Sequence, residues 1–111
     1  PQQWPHFSNL VNIRKMAVEK TIWKYEITPS DFQEIIMPVG AKILDVQTQG
    51  DTPCIWALVN PNYTDTEVRI FEVFATGVPI KYDMGVQREY IGTFQLMGGG
   101  LVFHLFEYTG V

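Results

Sequence analysis

The chain has 111 residues, 46% hydrophobic and 18% charged, which fits one compact domain around a single core and excludes a disordered polymer. Eight Lys and Arg against twelve Asp and Glu give a net charge of -4, so no general positive field exists to neutralise phosphates and nucleic acid is disfavoured as a partner. Cys54 is the only cysteine, which rules out an intrachain disulfide and a Cys-rich zinc site. No uncharged apolar run reaches the ~18 residues needed to span a bilayer, and no secretory signal pattern is present, so the expectation is a cytoplasmic protein without a membrane.

Residues 1–15, PQQWPHFSNLVNIRK, carry two prolines and no regular alternation. Ser8 is placed to cap a short helix through Lys20 with Leu10, Ile13 and Ala17 on one face. MAVEKTIWKYEI, from Met16, reads like an ordinary protein start, so residues 1–19 are expected to form an N-terminal extension and residues 20–111 a single β domain.

From Lys20 the period becomes two. KTIWKYEI sets Thr21, Trp23, Tyr25 and Ile27 against Lys20, Ile22, Lys24 and Glu26, as a half-solvated strand does. After the turn-forming TPSD, FQEIIM is a second strand, Pro38-Val39-Gly40 punctuates, and AKILDVQTQ is a third. CIWALV is apolar on both faces, so a central or doubly covered strand is expected there, followed by the polar loop NPNYTDT and the long strand EVRIFEVFAT.

Residues 77–89 form the longest irregular connection, a length usually kept for binding. YIGTFQLM then alternates Tyr90, Gly92, Phe94 and Leu96 against Ile91, Thr93, Gln95 and Met97, and Gly98-Gly99-Gly100 turns the chain into LVFHLFEY. This is a hairpin glycine run: phosphate loops lead from a strand into a helix, and here a strand follows. Seven strand candidates and almost no helical period predict an all-β fold, a small antiparallel barrel of SH3 or Sm type with six to seven strands, or alternatively a β-sandwich. Strands apolar on both faces predict a homo-oligomer.

No catalytic constellation stands out. Cys54 lies in the most apolar strand and reads as a packed small hydrophobe, and a meeting with His104 across strands is the only nucleophile-and-base pair the composition allows. His104 shares a face with Val102 and Phe106 while Glu107 points the other way. Scattered Asp45, Asp51, Asp65 and Asp83 do not make a metal set, and no cofactor is implied. Lys81, Tyr82, Asp83, Arg88 and Tyr90, with His104, are the candidate ligand or partner contacts.

KTIWKYEI, MPVGAKILDVQTQ, PCIWALVNP, the ATGVPI corner, and YIGTFQ with LVFHLFE together resemble a family of short proteins of bacteriophages and prophages, over about residues 20–107. The resemblance implies kinship without an assigned activity. Many members carry a histidine before the proline of the ATGVPI corner, where this chain has Val78, so a role for that histidine does not carry over. The leading expectation is a phage-type accessory protein acting as a non-enzymatic binding or assembly module, with a host or phage protein as a further partner. The alternatives are a small-molecule-sequestering protein or small enzyme, with Tyr82, Asp83, Arg88 and His104 lining a barrel mouth or subunit boundary, and a nucleic-acid-binding barrel using Tyr82 and Tyr90.

Overall fold

The computed structural model describes residues 19–81 and 87–110. Seven strands follow in order: β1 (Thr21–Glu26), β2 (Phe32–Pro38), β3 (Lys42–Gln49), β4 (Thr52–Val59), β5 (Thr66–Ala75), β6 (Gln87–Leu96) and β7 (Leu101–Gly110). They make two antiparallel sheets, β1-β4-β3 and β2-β5-β7-β6. Among the described residues there is no α-helix, and no helix long and apolar enough to cross a membrane. The helix expected over residues 8–20 falls almost wholly outside the described residues, and Glu19 and Lys20 are irregular.

The chain crosses between the sheets from β1 to β2, from β2 to β3 and from β4 to β5. The tightest crossing is Val39-Gly40, where Gly40 takes a φ of 80° and the Ala41 amide donates to the Pro38 carbonyl at 3.1 Å. Glycine adopts that left-handed conformation without a Cβ clash. The inward phases of the strands then face each other, with Phe71, Met37, Ile55, Leu105, Val46 and Val59 fully buried. CIWALV is central in its sheet, as its composition predicts, because burial on both sides suits a strand with no polar phase.

The sheets are not joined by backbone pairing into a ring among the described residues, so the favoured closed barrel is not what the pairing gives. The arrangement is equally a sandwich or a barrel open at its seams. At one seam β3 and β6 run side by side, and each carries an irregularity there: the register shifts between Ile43 and Asp45 and between Tyr90 and Gly92. A Cβ on Gly92 would stand 2.8 Å from Val46 Cγ1, so only glycine lets β6 pass this close.

That bulge corrects the expected alternation. The extra residue, Ile91, lets Tyr90 pair with Phe106 and Gly92 with Leu105, which places Tyr90 on the outer face and Gly92, Phe94 and Leu96 on the inner one. The expected irregular connection is also shorter at its far end, since residues 87–89 already belong to β6. The hairpin stands with a four-residue turn, Met97–Gly100, in which Met97, Gly98 and Gly99 all have positive φ.

Candidate interaction face and inter-sheet cleft

Period two puts a second, outward row on each strand of the four-stranded sheet, and here that row is only partly polar. Cross-strand partners give one line of Phe32, Glu72, Phe106 and Tyr90 and a neighbouring line of Glu34, Ile70, Tyr108 and Arg88. Ile36 and Val68 pair beside them, and Phe74, His104 and Thr93 lie on the other side. Phe32, Ile36, Val68 and Tyr90 are each more than half exposed. A solvated sheet face normally alternates to polar residues; this one sets Glu34, Glu72, Arg88, Thr93 and His104 among apolar and aromatic residues drawn from all four strands.

Its polar groups are mostly satisfied within the face. Arg88 grips Glu72 with a forked pair of hydrogen bonds, Nε to Oε1 at 2.7 Å and Nη2 to Oε2 at 3.3 Å, and its Nη1 donates to the Lys81 carbonyl at 2.7 Å. The same guanidinium lies over the Phe74 ring, 5.7 Å from its centroid. Burial of both charges makes this pair depend on its geometry, because neither is free to return to water. Phe106 sits between Phe74 and Tyr90, at centroid distances of 5.8 and 5.3 Å.

A hydrogen-bond chain crosses the same face. Tyr90 and Thr93 hydroxyls lie 2.5 Å apart, Thr93 Oγ1 is 2.8 Å from His104 Nδ1, and His104 Nε2 is 2.7 Å from Thr76 Oγ1. A neutral imidazole satisfies the chain in either direction, with Tyr90 donating to Thr93 and His104 donating to Thr76, or the reverse.

Of the residues proposed from sequence, Arg88, Tyr90 and His104 thus share this outer face, and the Lys81 backbone is tied to it. Tyr82 and Asp83 lie outside the described residues. His104 does not meet Cys54: both of its ring nitrogens are engaged, while Cys54 is fully buried in the other sheet with its thiol donating to the Thr52 carbonyl at 3.4 Å. A cleft between the sheets is lined by Tyr90 but by neither Arg88 nor His104.

That cleft, about 440 Å³, opens between the sheets at the β3–β6 seam and was missed from sequence. Its wall holds Arg69, whose Nη2 donates to Glu107 Oε1 at 2.9 Å, whose Nε donates to Glu107 Oε2, and whose Nη1 donates to the Ala41 carbonyl at 2.7 Å. The Glu107 hydrogen bond pushes the Arg69 pKa up against the opposing effect of burial, with the charges of Glu107, Glu67 and Glu89 adding to the rise. The available sequence signal was that Arg69 falls in the inward phase of β5 with Phe71 and Val73, and Glu107 in the inward phase of β7 with Phe103 and Leu105. Opposite charges on two core-facing phases must pair or be expelled.

No curated protein and no solved structure matches the chain. One family model does, over residues 18–110, a span containing all seven strands, the outer face and the cleft. The chain is therefore a member of the family described as Domain of unknown function (DUF7352).

Proposed function

We propose that this chain is a non-enzymatic binding or assembly module that works through the outer face of the β2-β5-β7-β6 sheet. The observation that carries the reading is the exposure of Phe32, Ile36, Val68 and Tyr90 on one continuous sheet surface. Contiguous apolar patches beyond a few hundred Å² mark interaction sites on soluble proteins. The likeness of its segments to short phage and prophage proteins makes it an accessory module of a phage or of its host cell, acting in the cytoplasm on a protein partner. Photo-reactive residues in place of Ile36 and Val68 should give macromolecular adducts of defined mass, and one in place of Gln49 on the other sheet should give none. Equal yields from both sheets, or no adducts at all, overturn the reading.

A second reading, a small-molecule-binding protein, is favoured by the cleft beside Arg69, Glu89 and Glu107. Arg69 and Glu107 are already paired there, which leaves Lys42 and Glu89 as the opposite charges of the lining and suits a small zwitterionic ligand. A rise in Tm with small organic zwitterions that vanishes in Glu89→Gln favours this site; no shift with any of them counts against it.

A further inference from the structure

We propose that the partner of the outer sheet face is a second copy of this chain, packed face to face so that the two four-stranded sheets form the centre of a four-layered dimer. The inference rests on the reading of that face as a binding surface and adds its occupant.

Area is the first argument. Three strands of ten residues and one of seven, at about 3.3 Å per residue and about 4.8 Å between strands, project on the order of 600 Å². Side-chain corrugation raises the accessible area above that, toward the roughly 800 Å² that each partner contributes to a standard stable interface. The face is thus large enough by itself, with no help from the seams or the hairpin turn.

Charge is the second. The chain carries a net charge of -4, so most pairs of surfaces on two copies would repel. On this face Glu72 is neutralised by Arg88, and Glu34, on the outermost strand, is the remaining carboxylate of the paired outward positions. Of the exposed carboxylates, Glu26, Asp45 and Asp51 belong to the other sheet and its turn, while Asp31 and Asp65 flank β2 and β5. With Glu34 as its one uncompensated charge among the paired outward positions, this face lets two identical copies meet with little repulsion, and a two-fold axis through it makes the patch complementary to itself. A strongly basic partner would find little on this face to select it.

Sedimentation velocity on the full chain tests this, with Ile36→Glu and Val68→Glu combined in one variant and Ile22→Glu on the other sheet as control. Circular dichroism verifies that each is folded. The wild type and Ile22→Glu should sediment at twice 12.7 kDa, and the double variant at the monomer mass at concentrations at least ten-fold higher. A monomeric wild type at all concentrations, or a dimer that survives the double substitution, overturns the dimer. If the wild type is monomeric while photo-reactive residues at 36 and 68 still give adducts with another macromolecule, the second copy is wrong and the binding face stands. If those positions instead react only with residues 1–18 of the same chain, both readings fall.

Discussion

Arg69 of β5 holds the Glu107 carboxylate of β7 with two of its nitrogens, across 38 positions of sequence and against the layer where the sheets meet. Both side chains are largely removed from water, so each compensates the other's burial. Glu107→Ala should destabilise the fold by about 3 kcal/mol, because it leaves a guanidinium buried without its carboxylate. Arg69→Met combined with Glu107→Leu should recover most of that loss. Urea denaturation midpoints with unchanged slopes would verify both.

Gly92 is the closest point of the β3–β6 seam. Gly92→Ala drives a methyl against Val46 Cγ1 and should cost about 1–3 kcal/mol through overpacking. Adding Val46→Ala removes the obstructing methyl, so the double variant should lose less than the sum of the two single changes. A double-mutant cycle on thermal unfolding measures that coupling.

Met97 turns the hairpin with a φ of 53° and is 72% exposed. Its backbone strain is uncompensated by packing, so Met97→Gly should stabilise the protein by roughly 0.5–1 kcal/mol even after the entropic disadvantage of glycine. Calorimetry should show a higher Tm.

Arg88 ties the chain after β5 back onto the sheet through the Lys81 carbonyl. Arg88→Ala should raise amide hydrogen exchange in residues 76–81 at least ten-fold while that of β4 stays slow. Arg88→Lys should not restore protection, since an ammonium lacks the fork that spans Glu72 and the carbonyl together.

Cys54, fully buried, should react with an aromatic disulfide reagent only when the domain unfolds. Labelling rates that track the global stability across the Gly92→Ala and Met97→Gly variants verify this; fast labelling of the native protein contradicts it.

What the sequence made legible is local. Alternation and glycine punctuation located all seven strands and the β6–β7 hairpin, and put Glu107 opposite His104. A bulge, by contrast, is a single-residue event: Gly92 inside the strand pattern is its one local sign, and the alternation of Tyr90-Ile91-Gly92 does not say which residue is the extra one. The partition into two sheets was hidden for a related reason, because strand pairing is decided by packing between distant segments. Arg88 and Tyr90 read from sequence as part of the loop that holds Lys81, Tyr82 and Asp83, whereas both sit on β6, and the face they share with the strand residue His104 depends on the pairing of β6 with β7.

That strand order has a consequence for how the sheet assembles. β7 lies between β5 and β6, so until residues 101–110 dock, the four-stranded sheet has no middle. β5 then has only β2 beside it, and β6 only the seam with β3. Any opening that releases β7 alone exposes two unpaired strand edges at once, each able to pair with another chain.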